Sequence, residues 1–151
     1  NSVHTKSRDT ELVLVGSGDG QQAIEDKVKS LGLSDAVLFL GSRGDVNRVL
    51  QAMDVFLFPS LYEGLPLSII EAQAAGLPCI ISDNVPGECI KTDRVFRYSL
   101  SEPVDFWADK IFEALKVDKK DTLSEIIASG FDVKENSRKL EDFYTSFGYG
   151  D

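Results

Sequence analysis

The 151-residue chain carries a formal net charge of -9 and has the length of one ordinary domain, with room for a single sizeable core. Such acidity speaks against non-specific nucleic-acid binding and against a direct grip on anionic lipid, although the N–H groups of one helix end can still hold a small anion locally. No run reaches the roughly 18 apolar residues of a membrane helix and no signal peptide is visible, while Cys79 and Cys89, the only two cysteines, are too few for a disulfide framework or a zinc site.

Both cysteines stand beside apolar residues, so buried free thiols and a reducing, cytoplasmic compartment are expected. The chain opens with Asn1 and meets its first strand pattern almost at once, which suggests a piece of a longer protein. Asn1 to Thr10 is polar and reads as the frayed end of a helix whose start has been cut away. His4, the only histidine, has no acidic or Cys partner at ligand or triad spacing and is given no catalytic role.

Glu11 to Val15 (ELVLV) is a short aliphatic run that predicts a buried parallel strand. It enters Gly16-Ser17-Gly18-Asp19-Gly20 and then a helical pattern with Ala23, Ile24, Val28 and Leu31 on one face, stopped at Gly32. Strand, glycine turn and helix is where phosphates are often cradled, but the third glycine of the dinucleotide fingerprint and the Lys-Ser/Thr of a P-loop are missing. The turn is thus either a ligand contact or a plain connection.

Ala36 to Leu40 predicts a second strand, closed by Gly41-Ser42-Arg43-Gly44; Asp45 is placed to N-cap the next helix, whose stripe is Val46, Val49, Leu50 and Met53. Asp54 to Phe58 predicts a third strand, followed by a loop, a helix from Pro66 to about Ala75, and Gly76 as its stop. Pro78 to Ile81 predicts a fourth strand and Val95 to Tyr98 a weaker fifth. Three helical patterns end the chain: Val104–Leu115, Lys120–Ala128 and Glu135–Phe147. Trp107, Ile111 and Leu115, and then Leu140, Phe143 and Tyr144, are expected to pack in the core. No repeat, low-complexity tract or linker divides the chain. Alternating strands and helices predict an α/β fold with a doubly wound parallel sheet and C-terminal helices. The glycine loops and the Pro59–Pro66 loop all follow strand carboxyl ends and should meet on one rim.

On that rim stand two glutamates, Glu63 in the loop and Glu71 in the helix. Pro66, with no N–H and a pre-set φ, suits the first helical position. The free amides near Leu67 and Ser68, with Gly64 allowing close approach, then form an anion pocket. Glu71 shares a stripe with Leu67 and Ala75 among apolar neighbours, so it is either partly buried and paired or held ready for ligand hydroxyls; leaving it buried and unpaired would cost several kcal/mol.

The segment F-P-S-L-Y-E-G-L-P-L-S-I-I-E-A-Q-A-A-G-L-P-C-I closely resembles the donor-site signature of retaining glycosyltransferases with the two-Rossmann-domain (GT-B) fold, family 4, the glycosyl transferases group 1. ELVLVGSGDG, GLSDAVLFLGSRGDV and MDVFLFPS stand in the family's order and spacing, and the resemblance is good over roughly Leu12 to Asp83. It implies that Glu71 holds the donor ribose hydroxyls and that Glu63, the one catalytic-site carboxylate, meets the transferred sugar. It further implies that Gly64, Leu65, Pro66 and Leu67 meet sugar and diphosphate through the backbone, with Leu67 rather than Pro66 donating. Gly41 to Arg43, Ser42 included, would hold the base, and Gly16 and Ser17 would line the floor. The substrate implied is a UDP- or GDP-linked hexose, with no cofactor or metal, in bacterial polysaccharide or glycolipid synthesis.

Two family features are missing. The strand and loop carrying the Arg and Lys that neutralise the diphosphate have no match in Asn1–Thr10, and the N-terminal acceptor-binding domain is absent. The expectation is therefore one donor-binding domain over residues 1–151, lacking its first βα unit and its partner domain. Transfer activity by the piece alone is not expected, and any membrane contact would run through the partner domain. Two alternatives remain at this stage: a sugar-nucleotide 2-epimerase-like enzyme, and a non-catalytic doubly wound interaction module in which Glu71 pairs with a buried Arg or Lys.

Overall fold

The computed structural model describes residues 1–147. Its elements follow the predicted order: α1 (Ser2–Lys6), β1 (Leu12–Val15), α2 (Gln21–Ser30), β2 (Val37–Gly41), α3 (Val46–Ala52), β3 (Phe56–Phe58), α4 (Leu67–Ala74), β4 (Cys79–Ser82), β5 (Val95–Tyr98), α5 (Val104–Ala114), α6 (Leu123–Ala128) and α7 (Val133–Ser146). A 3-10 turn, Gly87–Cys89, interrupts the segment between β4 and β5. The polar start is more ordered than its composition suggested. It forms α1, which packs on α5 and pairs Lys6 with Asp109.

All strand pairs are parallel, but they form two ladders, β1-β2 and β3-β4-β5. β1 has β2 as its sole neighbour and β3 has β4 as its sole neighbour among the described residues. Each therefore keeps one edge of unpaired backbone groups. A parallel sheet buries its strands only when both edges and both faces are covered. β4, flanked on both sides, is buried at every residue, whereas the equally apolar β1 is exposed at both ends.

The core is correspondingly one-sided. It gathers Ile69, Ile70 and Ala72 of α4 with Leu77, Cys79, Ile81, Val85, Cys89 and Ile126. Three expected stripes do not enter it. On α2, Ile24 and Leu31 are exposed and the helix has no buried residue, because its ladder is only two strands wide. On α5, Trp107 and Ile111 are half-buried but Leu115 is exposed. On α7, Leu140, Phe143 and Tyr144 are each 55–56% exposed; Phe143 packs instead on Tyr144 and Phe147, at ring separations of 5.7 and 4.8 Å.

Gly76 ends α4 at φ 74°, where a Cβ would lie 2.1 Å from the Lys120 carbonyl oxygen. Left-handed backbone alone costs an L-residue about 1–2 kcal/mol, and the contact adds to it. Gly76→Ala should therefore lower unfolding free energy by more than about 2 kcal/mol in urea titration; an unchanged midpoint would contradict this packing.

Burial pushes the Cys79 thiol from its ordinary value of 9.0 up to about 12. Above pH 9 the unfolded chain releases this proton while the folded chain retains it, so stability is intact below that pH and is lost as pH climbs toward 12. Unfolding free energy should fall between pH 9 and 11 in the wild type and fall less steeply in Cys79→Ala. Parallel profiles would contradict the buried thiol.

Candidate functional site

Because every ladder is parallel, the loops after β1, β2 and β3 leave from carboxyl ends. Two of them touch: the Gly16 N–H donates to the Gly41 carbonyl at 2.8 Å. Gly16, Ser17, Ser42 and Arg43 are exposed and Gly41 is half-buried. Arg43 donates from Nε and Nη2 to the two carboxylate oxygens of Asp45, both at 2.7 Å. That hydrogen-bonded pairing raises the guanidinium pKa and lowers that of the carboxyl. Asp45 does occupy the N-cap of α3, but its side chain makes no capping bond. The correction has a simple cause: a charged fork two residues away outcompetes a single amide for the carboxylate.

The loop after β3 carries Glu63. It is half-buried, and its Oε1 accepts from the Ser60 hydroxyl at 2.8 Å. Ser60 was not singled out in the sequence; its spacing of three residues from Glu63 was the available signal. Gly64 and Leu65 are exposed, and Pro66 is buried. Pro66 is the N-cap of α4 rather than its first helical residue, at φ -74° and ψ 103°, so the helix proper begins at Leu67. The shift leaves the electrostatics intact. Ile69 N–H already bonds the Pro66 carbonyl, while the amides of Leu67 and Ser68 have no acceptor among the described residues. Free amides at a helix start attract anions.

Glu71 lies one turn further on, a rise of about 6 Å along the axis. It is exposed and forms no ion pair among the described residues. Of the two readings left open for Glu71, the partly buried and paired carboxylate is thereby set aside. With Leu67 and Ile70 it lines an open depression of about 590 Å³, closed on the far side by Phe131, Asn136, Ser137 and Leu140. Asn136 and Ser137 escaped the sequence reading because their helix showed only an apolar stripe. The depression joins Leu67 to Glu71 but does not include Gly16, Ser17, Ser42, Arg43, Glu63, Gly64, Leu65 or Pro66. The structure thus brings Leu67 and Glu71 to one depression and leaves the rim of the first ladder outside it. Among the described residues no group of three or more His, Cys, Asp or Glu gathers as for a metal, and no helix is long and apolar enough to cross a membrane.

Parallel strands with helices between them, and a signature loop leading into α4, define an α/β chain of the GT-B glycosyltransferase fold. Residues 1–116 match the family Glycosyl transferases group 1, and the chain belongs to it. It is 40% identical over 152 residues to the putative glycosyltransferase EpsF of Bacillus subtilis (strain 168), a match covering 95% of this chain and 39% of that protein. It is 31% identical over 144 residues to the UDP-Gal:alpha-D-GlcNAc-diphosphoundecaprenol alpha-1,3-galactosyltransferase of Escherichia coli, covering 90% of this chain and 37% of that protein. The chain therefore spans less than half the length of these relatives. Its fold also superposes on the pneumococcal O-GlcNAc transferase GtfA, at TM-score 0.73 and 19% identity, over 97% of this chain and 31% of GtfA. Sucrose-phosphate synthase of Thermosynechococcus elongatus superposes at TM-score 0.75 and 21% identity, over 99% of this chain and 41% of that one.

Proposed function

We propose that this chain is the C-terminal, donor-binding domain of a retaining glycosyltransferase that takes a hexose from a UDP- or GDP-sugar. The observation that carries the reading is the pair formed by Glu71, an exposed carboxylate with no ionic partner among the described residues, and the Leu67 and Ser68 amides one turn away, which have no acceptor among those residues. A carboxylate accepts two hydrogen bonds from vicinal ribose hydroxyls, while amides at a helix start hold phosphate. In this reading Glu63, steadied by Ser60, meets the transferred sugar, with Gly64, Leu65 and Pro66 alongside. Gly16 and Ser17 form the floor, and Gly41, Ser42 and Arg43 hold the base through the backbone. As the glycosidic bond breaks, negative charge grows on the leaving diphosphate and the pre-aligned amides stabilise it.

The two open strand edges support a further part of the reading. One more parallel strand between β1 and β3 would join the ladders and place its own carboxyl end at the switch point of the sheet. The loop after such a strand is where basic side chains would reach the diphosphate. With that unit and an acceptor domain elsewhere in the longer protein, the piece alone performs no transfer. The name of the Escherichia coli relative supports a UDP-hexose donor and a lipid-linked diphosphate acceptor. The reading sets the intact enzyme in the cytoplasm, with membrane contact through the acceptor domain.

A non-catalytic module would pair Glu71 with a buried cation. Arg94, the buried arginine, instead donates to the Asp118 carbonyl. Membership of the glycosyl transferases group 1 speaks against the 2-epimerase-like alternative.

The test is calorimetric titration of the full chain with UDP and with GDP. Hydrogen bonds to a charged acceptor contribute about 1.5–3 kcal/mol, so Glu71→Gln should weaken the preferred nucleotide by roughly ten- to a hundredfold. Equal affinity in both forms would overturn the ribose assignment.

A further inference from the structure

Gln73 stands two residues beyond Glu71 on α4, on nearly the opposite side of the helix. It is fully buried, at 0% exposure, among Ile69, Ala72, Leu77 and Cys79 of the core. An apolar side chain would satisfy such a position, and a carboxamide is tolerated only when its polar atoms are bonded. They are. Nε2 donates to the Ile69 carbonyl at 3.1 Å and to the Cys89 carbonyl at 2.7 Å. Oε1 accepts from the Lys91 N–H at 2.8 Å, the Thr92 N–H at 3.0 Å and the Thr92 hydroxyl at 3.2 Å. The Gln73 backbone carbonyl also takes the Thr122 hydroxyl at the start of α6. One side chain thus clamps α4 to the segment between the 3-10 turn and β5.

These bonds are directional where the surrounding contacts are not. Apolar packing permits a helix to roll or slide slightly at little cost, whereas a carboxamide bonded on both atoms fixes its rotation and register. Glu71 rides on the outer side of the same helix. A roll of about 10° would carry a group at a radius of roughly 5 Å through about 1 Å, beyond the tolerance of roughly 0.5 Å that a binding constellation allows. We propose that Gln73 is a positioning residue for the donor site, its buried carboxamide setting the rotation of α4 that aims the Glu71 carboxylate at the ligand. This rests on the reading of Glu71 as the ribose-holding group.

A double-mutant cycle in the full chain, with UDP as the calorimetric probe at a temperature where circular dichroism shows each form folded, tests it. Gln73→Met keeps the volume and helix propensity but removes both polar atoms. It should weaken UDP by about tenfold in the native background, the loss expected when the hydrogen bonds to Glu71 are largely forfeited. The further loss should shrink below about twofold when Glu71→Gln is already present, because sites coupled through a shared backbone shift are non-additive. A purely structural Gln73 would lower the unfolding midpoint while leaving UDP affinity unchanged, or would add its full loss in both backgrounds; either result overturns the proposal. If Glu71→Gln weakens UDP and Gln73→Met does not, positioning fails and the ribose reading stands. If Glu71→Gln itself has no effect, the ribose reading fails and this proposal falls with it. Should Gln73→Met not fold, Thr92→Val removes a single bond to Oε1 and should weaken UDP by about two- to threefold, only where Glu71 is intact; no change there overturns the proposal.

Discussion

Helix α4 lies on β4 through side chains that are almost wholly withdrawn from water, and most of what the molecule offers a ligand follows from that contact. Ile69, Ala72 and Gln73 are buried without exposure, and Cys79 and Ile81 join Ile69 and Ala72 in one core cluster from the strand. Burying side chains of this size contributes about 1.5–3 kcal/mol each, enough to hold a helix of only eight residues that would not persist alone. Because β3 and β4 are parallel, the start of α4 must point to the carboxyl rim. The amides of Leu67 and Ser68, without an acceptor among the described residues, therefore stand at that rim, by topology rather than by local design.

The same contact explains what was legible in the sequence. Apolar runs and glycine stops marked every strand and the middle helices to within a residue or two, since period and punctuation are local properties. The signature around Glu63 and Glu71 pointed to a candidate site because its loop and helix lie side by side in the chain. The partners that side chains choose were less visible. Ser60 acts on Glu63 through a hydroxyl that any loop serine carries. Asp45 carries the composition of a cap but meets Arg43 instead. Pro66 fits both the cap and the first helical position, and the backbone chose the cap. Gln73 read as one polar letter in an apolar helix; its partners lie 16 to 19 residues away.

Burial is where the sequence misled most. The stripes of α2 and α7 have the pattern of packed faces, yet neither helix holds a buried residue. A pattern records what a face is suited to cover, not whether its cover is present. The β1–β2 ladder, with both edges open among the described residues and an uncovered helix stripe, and the aromatic face of α7 beside the Glu71 depression are consistent in this respect. Both would gain cover from further polypeptide packed against them.

The central claim is that the start of α4 and the rim of the first ladder act as two halves of one nucleotide site. Amide chemical shifts of the isotopically labelled full chain, followed through a titration with UDP, address it most directly. The account predicts the largest movements at Leu67, Ser68 and Glu71, with a second cluster at Gly16, Ser17 and Gly41 to Arg43. Movements confined to α5 and α6, or a titration that leaves Leu67 and Glu71 unmoved, would contradict it.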